Sequence, residues 1–358
     1  MRTRLADIAE RAGVSEATVS RVLNDKPGVS PEARQAVLAA ADDLAYGRPG
    51  PPRPRRSRLI GLVVPELTNP VFPVIVQNIE NLLARHGYTP LLCTHSPGGG
   101  LLEDDYITLL LEHGVAGIIF VSGMHADTKA DADRYRELIA RRLPVAFING
   151  YVPGLDAPFV SCDDGASAEL AVGHLADLGH HQIGLVLGPE RYMPVIRKRD
   201  GFLRAMRDKF GVDASGLIVN AMFSVEGGWA AGLRLLERDV TAVVCSSDVI
   251  ALGVIRAARD RGLAVPRDLS VVGYDDSPLM AFTDPPLSTV RQPVREMCMA
   301  AVQMLIDERP TRTQERPDQR PELIFRPELV ARGSTGPAPI SKPSLTLTTN
   351  QDGSPPAS

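Results

Sequence analysis

The sequence contains no apolar stretch approaching the roughly eighteen residues that cross a bilayer as a helix. Its opening, MRTRLADIAERAG, is basic but lacks the continuous apolar segment of a secretory signal. A chain with neither feature is expected in the cytoplasm, without a membrane partner. Cysteine is sparse: Cys93, Cys162, Cys245 and Cys298 lie far apart, in or beside apolar runs. No CxxC pair and no Cys/His spacing links them, which points to core thiols and away from disulfides or a metal site. Absent too are HExxH, GxSxG, a P-loop and any GxGxxG after a strand-like run. Catalytic residues, metal ligands and cofactors are therefore not expected.

Lysine is scarce as well, 5 against 34 arginines, a ratio that reflects genome composition as readily as chemistry. The distribution of charge says more. Residues 1–58 hold 11 Arg/Lys against 7 Asp/Glu, and the remainder 28 against 36, for a net −4 overall. A small basic head on an acidic body suits a chain whose head meets a polyanion that the body repels. The 358 residues accommodate two or three domains, and 44% apolar with 23% charged residues is ordinary for a globular protein.

In RLADIAERAGVSEATVSRVLN, Leu5, Ile8, Ala9 and Ala12 recur at the spacing of one helical face. Gly13 supplies a turn, and Ser15 caps a second helix with the stripe Val19, Val22 and Leu23. Ser30 and Pro31 open a third helix that buries Val37, Ala41 and Leu44. This layout predicts an all-α helix-turn-helix headpiece, whose second helix enters the major groove of DNA. Opposite its stripe lie Glu16, Ala17, Thr18, Ser20 and Arg21. Arg21 suits a bidentate contact with guanine and Ala17 a thymine methyl. Thr18, Ser20 and Asn24 suit phosphates, and Ser15 joins the same DNA-facing set. Periodicity alone leaves open a merely solvated face.

From Leu59 onward, strand-like runs alternate with amphipathic stretches. The runs are LIGLVVP, TPLLCTH, GVAGIIFVS, LPVAFING, APFVSCDD, QIGLVLG, TAVVCSS and LSVVGYDD; the stretches include VFPVIVQNIENLLARHG, RYRELIARRL and VIALGVIRAARDRG. Such alternation builds parallel sheets from right-handed βαβ units, and the length calls for two lobes. Ligands of open α/β sheets collect at the carboxyl ends of strands. There VVPELTNPVF, SCDDG, CSSD and GYDDSP place polar residues. His180 and His181 sit in a helix-to-strand turn, and Trp229 in EGGWAAGLRLLE; all three are read as structural.

The stretch LADIAERAGVSEATVSRVLN, with VSPEARQAVLAAADDLAY downstream, closely resembles the headpiece of the LacI/GalR family of bacterial transcription regulators. Arg4 stands where that family often has Thr before the first helix. The likeness continues from about Leu59 to Gly333, through IGLVVPELTNPVF, SCDDGASAELAVGHLADLGHHQIGLVLG, TAVVCSSDVIALGVIRAARDRGLAVPRDLSVVGYDDSP and DPPLSTVRQP. It implies an α/β core like the periplasmic binding proteins, of two parallel-sheet lobes that exchange chain. LSTVRQP would return to the first lobe and PELIFRPELVARGS to the second. The expected domains are a DNA-binding head at 1–46, a linker at 47–58, an effector-binding and dimerisation core at 59–333 and a disordered tail at 334–358. That tail has no leucine heptads, so a homodimer is expected without a coiled-coil tetramer.

The same resemblance carries effector-pocket positions over to Asn69, Phe72, Asp164, Phe223, Asp248 and Asp275. Lys198 takes the place of a usual arginine, with Arg197 beside it. An aromatic face with planar polar groups suits a sugar. Structural uses stay open: Asp164 and Asp248 as helix caps, Phe72 as core. Implied is a repressor of carbohydrate uptake genes, bound as a homodimer to a pseudo-palindromic operator and switched by a sugar. The stretch CTHSPGGGLLEDDYITLLLEHGVAGIIFVSGMHADT looks most like actinobacterial regulators of maltose or α-glucoside uptake. Alternatives are a non-sugar effector, or a carbohydrate-active enzyme using the acids of CDD and YDD.

The linker departs from the family. Pro49, Pro51, Pro52 and Pro54 favour an extended polyproline conformation where relatives carry a hinge helix with a leucine wedge. Arg48, Arg53, Arg55 and Arg56 are then candidates to follow phosphates or enter a narrow minor groove. The alternative is a stiff, solvated spacer.

Overall fold

The computed structural model describes residues 5–23, 26–43, 58–94, 100–307 and 322–340. Asn24, Arg48, Arg53, Arg55, Arg56 and residues 341–358 lie outside the described residues. Residues 334–340 of the expected disordered tail are instead ordered: Ser334 is fully buried with its Oγ donating to Val271 O at 2.6 Å, and Ala338 N donates to Leu178 O at 2.9 Å. The chain divides into two compact units, residues 1–57 and 58–358.

The first unit contains α1 (Leu5–Ala12), α2 (Glu16–Leu23) and α3 (Pro31–Asp43). Its core is Ile8, Ala9, Val19, Val22, Val37, Ala40 and Ala41, with Leu5, Ala12 and Leu23 packed at the margin. Gly13 takes φ of 65°, the left-handed geometry that lets the chain leave α1 and re-enter a helix three residues later. Ser15 Oγ accepts from Thr18 N at 3.2 Å, and Ser30 Oγ from Ala33 N at 3.2 Å, so both hydroxyls cap the helices they precede.

The second unit starts with β1 (Leu59–Val64), α4 (Val71–Arg85), β2 (Thr89–Thr94), α5 (Glu103–Glu112), β3 (Ile118–Val121), α6 (Asp133–Ala140), β4 (Val145–Ile148) and β5 (Phe159–Cys162). The chain then crosses to a second lobe through α7 (Asp164–Asp177), β6 (Ile183–Leu187), α8 (Met193–Phe210), β7 (Ile218–Asn220), α9 (Val225–Leu236), β8 (Ala242–Cys245), α10 (Asp248–Asp260), β9 (Ser270–Asp275) and β10 (Ser288–Arg291). It returns with α11 (Val294–Asp307) and β11 (Leu323–Phe325), and crosses a third time to end in β12 (Glu328–Val330). The sheets run β11-β5-β4-β3-β1-β2 and β12-β10-β9-β8-β6-β7. LSTVRQP thus returns to the first lobe only after β10, since that strand itself pairs with β9 in the second. The first sheet is parallel throughout its pairs, whereas β12 is antiparallel to β10. Its direction follows from chain order: β12 enters the second sheet after the last crossing and has no helix to turn it around.

Burial explains the elements. Val71, Ile75, Ile79 and Leu83 form one face of α4 and meet Met297, Cys298, Ala301, Val302 and Leu305 of α11 over the first sheet. Ile107, Leu110, Tyr135 and Leu138 of α5 and α6 cover its other face. The second sheet is sandwiched likewise, by α9 and α10 on one side and α7 and α8 on the other. Strands covered on both faces become continuous apolar runs, which is why β1, β3, β6 and β8 stand out in the sequence. All four cysteines are buried and free. His180 is fully buried, with Nδ1 beside Thr241 Oγ1 at 2.9 Å and Nε2 beside Ser270 Oγ and Gly336 O at 3.0 Å. Trp229 packs against α10 and donates from Nε1 to Asp260 at 2.7 Å. No helix among the described residues is long and apolar enough to cross a membrane.

Candidate DNA-reading face and effector cleft

On α2, Val19 and Val22 face inward, which turns Glu16, Ala17 and Arg21 to solvent and leaves Thr18 and Ser20 half-buried at the edges. Ser15 Oγ lies 2.9 Å from Thr18 Oγ1, so the cap and the first hydroxyl of the face form one polar corner. The Arg21 guanidinium reaches the α2–α3 turn at Gly28, where an added Cβ would lie 3.8 Å from its Nη2. These residues form one contiguous, net-neutral surface of one acid, one base and short hydroxyls.

In the second unit, the carboxyl ends of both sheets turn toward the chain crossings. Asn69 is buried before α4; its Oδ1 takes the N–H of Val71 at 3.5 Å and its carbonyl that of Phe72 at 3.1 Å. The Phe72 ring is half-buried against the first-lobe core. Asp164, at the start of α7, accepts from Lys198 Nζ on Oδ1 and from Tyr274 Oη at 3.3 Å on the same atom. Lys198 Nζ also sits over the Tyr274 ring, 3.7 Å from its centroid. Both charged side chains of this pair are nearly inaccessible, at 8% and 6% exposure. Burial pushes the Asp164 carboxyl up from its ordinary range, and the Lys198 ammonium pulls it back.

Three sequence expectations need correction here. Arg197 is not a free fork for a ligand: Nη1 and Nη2 donate to Glu322 Oε1 and Oε2 at 2.8 and 2.7 Å. Since Glu322 leads into β11, this pair ties α8 of the second lobe to the first. Asp248 is fully buried. It accepts from Thr289 Oγ1 at 2.6 Å and from Ser277 N at 2.7 Å, and burial lifts its carboxyl to about 6. Neither Asp164 nor Asp248 caps its helix; Asp163 and Ser247 do so, accepting from Ala166 N at 2.9 Å and Ile250 N at 3.3 Å. In each case the preceding residue holds the cap position, and the carboxylate one position on is already helical.

The remaining positions lie at strand ends. Phe223 covers Gly188 at the end of β6 so closely that an added Cβ there would come within 2.1 Å of its ring. Asp275 and Asp276 both take positive φ, 116° and 55°, which is costly for residues with a side chain and concentrates at functional sites. Asp275 Oδ1 accepts from Gln292 Nε2 at 2.6 Å, and burial raises its carboxyl well above the ordinary range. Asp276 pairs with Arg291 and Arg332, each at 2.7 Å.

Sequence reasoning missed several groups on this rim. Ser122 and Asn149, after β3 and β4, take φ of 46° and 60° and are joined by Asn149 Nδ2 donating to Ser122 Oγ at 3.3 Å. The signal was present as SG and NG closing two apolar runs. Across the cleft, Asp127 and Thr128 of the first lobe meet Arg191 and Tyr192 of the second. Arg191 Nε pairs with Asp127 at 2.9 Å, and Thr128 N donates to the Arg191 carbonyl at 2.8 Å. Between α4 and the ends of β9 and β10 lies a cavity of about 270 Å³, lined by Val71, Val74, Asn78, Asp275, Ser277 and Gln292 among others. Ser277 Oγ and Gln292 Oε1 are buried with no hydrogen-bond partner among the described residues. A buried polar atom left so costs about 1–3 kcal/mol.

Comparison with known proteins agrees with this architecture. A family described as "Bacterial regulatory proteins, lacI family" matches residues 4–48, and a "Periplasmic binding protein-like domain" matches residues 172–335. The chain is 54% identical to the HTH-type transcriptional regulator MalR of Streptomyces coelicolor over 95% of its own length and 98% of that protein's. Among solved structures, a complex of the transcriptional regulator CelR with cellobiose superposes with a TM-score of 0.68 at 29% identity, covering 93% of this chain and 100% of that one. The lac repressor dimer bound to operator and an anti-inducer superposes at 0.66 and 26% identity, covering 94% and 100%. With a helix-turn-helix head, a two-lobed binding core and this extent of identity, the chain belongs to the LacI family of bacterial transcriptional regulators.

Proposed function

We propose that the protein is a non-enzymatic, cytoplasmic repressor of carbohydrate-uptake genes, working as a homodimer on a pseudo-palindromic operator and released by a sugar held between the two core lobes. The observation that carries this reading is the cleft itself. Asn69, Ser122, Asn149, Phe223 and Asp275 follow or close strands of the two sheets, and Lys198 of α8 meets Asp164 and Tyr274 beside the first crossing, which is the placement this reading draws on. Planar polar groups and an aromatic wall match hydroxyls and the C–H face of a pyranose. The solved CelR–cellobiose complex and the operator-bound lac repressor dimer support the sugar, the DNA and the dimer. The head would read bases with Arg21 and Ala17 of α2, with Ser15, Thr18, Ser20 and Asn24 on phosphates. Head, linker and core would divide at residues 46 and 58. A sugar shifts operator affinity only by its differential binding to the two lobe arrangements, with couplings of about 1–3 kcal/mol typical.

The test is operator binding by purified full-length protein, using DNA upstream of its own gene, with and without mono- and oligosaccharides. Maltose and other α-glucosides head the panel. The expected result is a tight, salt-dependent complex that one neutral sugar dissociates. Turnover of the sugar, or a complex indifferent to every carbohydrate and responsive to another metabolite, would overturn the proposal.

A further inference from the structure

The three crossings lie at one end of both sheets, on β5, β10, β11 and β12. A further contact between the lobes is made away from them. It leaves the first lobe after β3, two strands beyond β5, and meets the second after β6, three strands beyond β10. At about 4.8 Å per strand, these points stand roughly 10 and 14 Å from the crossings. The crossings hold one side of the cleft as a hinge, and this contact spans the other.

On the first lobe the contact is built on a short helical turn, Met124–Ala126. Glu103, at the start of α5, is only 2% exposed; its Oε1 accepts from Tyr135 Oη and its Oε2 from Met124 N at 3.0 Å. His125, also buried, donates from Nε2 to the Ile148 carbonyl at 3.1 Å and packs its ring 4.9 Å from that of Phe147. Any side chain at Gly123 would collide with the Glu103 carboxylate, and a Cβ at Gly150 would come within 2.9 Å of the Ala126 backbone. Buried polar groups and close backbone approach thus fix the turn, which presents Asp127 and Thr128 in one orientation.

Those two residues grip Arg191 and Tyr192 through an antiparallel bridge, with Asp127 opposite Tyr192. Thr128 donates from both N and Oγ1 to the Arg191 carbonyl, each at 2.8 Å, and Arg191 Nε donates to Asp127 Oδ2 at 2.9 Å. Asp127 Oδ1 takes the N–H of Lys129 at 2.9 Å, so both carboxylate oxygens are held. Tyr192 immediately precedes α8, whose Arg197 and Lys198 reach Glu322 and Asp164 on the crossing side. One helix is therefore tied at both sides of the cleft.

We propose that Asp127 and Thr128 form a clasp on Arg191 and Tyr192 that must open for a ligand to enter or leave between the lobes, with Glu103 as the residue that positions it. The proposal rests on the reading of the core as a two-lobed sugar-binding domain. Contacts of this kind open and close within the native state, without unfolding the lobes they join.

The first test uses no ligand: hydrogen exchange of the full-length protein, resolved to the Thr128 amide. That amide is expected to be protected, and Asp127→Ala to raise its exchange up to about fivefold. Tyr135→Phe, which takes one donor from Glu103, should raise exchange at Thr128 while the amides of β3 stay protected. An equal rise across β3 would leave Glu103 a core residue only, and an unprotected Thr128 would remove the clasp. The second test pins it shut. Asp127→Cys with Tyr192→Cys places thiols on opposed residues of the bridge, whose Cα atoms lie about 4.5–5.5 Å apart, within reach of a disulfide. The four native cysteines are buried. The pair should oxidise, and a sugar among maltose, cellobiose, trehalose and glucose that binds the wild type should enter the oxidised protein at least about a hundredfold more slowly than the reduced one. Failure of the pair to oxidise, or entry as fast oxidised as reduced, would overturn the proposal. Failure of all four sugars on the wild type would instead remove the sugar reading itself, and this gate with it.

Discussion

Replacing Lys198 with methionine keeps the stem and removes the charge, which strands Asp164 in a site where it is 5% exposed. Breaking a buried pair by deleting one partner costs about 3–5 kcal/mol, because the remaining ion keeps its desolvation penalty without its Coulomb partner. At about 2–4 °C per kcal/mol for domains of 150–250 residues, the core transition should fall by at least roughly 6 °C. The sign of the pH dependence follows from Asp164. Its folded carboxyl lies above the ordinary value because of burial, and Lys198 is the main group drawing it down. Without Lys198 it rises further. A raised folded carboxyl contributes stability below its unfolded value and loses it as pH climbs through the folded value. Destabilisation by Lys198→Met should therefore be small near pH 4 and grow toward pH 8, as scanning calorimetry of the full-length protein would record. The double variant Lys198→Met with Asp164→Leu should recover most of the loss, having no stranded charge. A pH-independent difference, or a double variant as unstable as the single one, would refute the buried-pair argument.

Arg21→Ala should cost about 1–3 kcal/mol of operator affinity per half-site and relax selectivity at one base position, read by binding to a set of operator variants. Changing Arg48, Arg53, Arg55 and Arg56 to serine should flatten the dependence of log K on log salt by about 0.9 for each phosphate no longer neutralised; an unchanged slope would make the linker a spacer. Phe282 is 84% exposed, with Leu279 at 65% beside it in the same short helix, and Phe282→Glu should shift sedimentation from dimer to monomer if this patch is a self-association surface. Arg191→Ala removes a pair whose side chains are 47% and 9% exposed, so melting should barely move, while effector affinity should fall by up to about fivefold if this pair holds the lobes together.

Patterns that arise from local periodicity were legible. The helix stripes of the head, the caps Ser15 and Ser30, and the apolar strands β1, β3, β4, β6, β8 and β9 follow from spacing and composition alone. The short strands β7, β11 and β12 did not stand out, because three residues at a sheet edge carry no period. Pairings between distant segments were illegible for a different reason. Arg197 meets Glu322 across 125 positions, and nothing local marks either as the partner of the other. Asp248 came to the effector pocket only through the family resemblance, and nothing local marks Thr289 and Ser277, 41 and 29 positions on, as the donors that occupy its buried carboxylate. Asp275 was visible in sequence, but its left-handed backbone and its bond to Gln292 emerged only once β9 and β10 were placed side by side.

The three crossings between lobes set an order of completion during synthesis. The head is finished by Asp43, so a working DNA-reading module leaves the ribosome first. The first lobe, begun at Leu59, still lacks the α11 cover over α4 and its edge strand until Phe325, and the second lacks β12 until Val330. A nascent chain therefore carries two unfinished lobes, with the apolar face of α4 uncovered, for most of its translation. Truncations within the last thirty or so described residues should damage both lobes at once, leaving a soluble head attached to a core that chaperones and proteases recognise as unfolded.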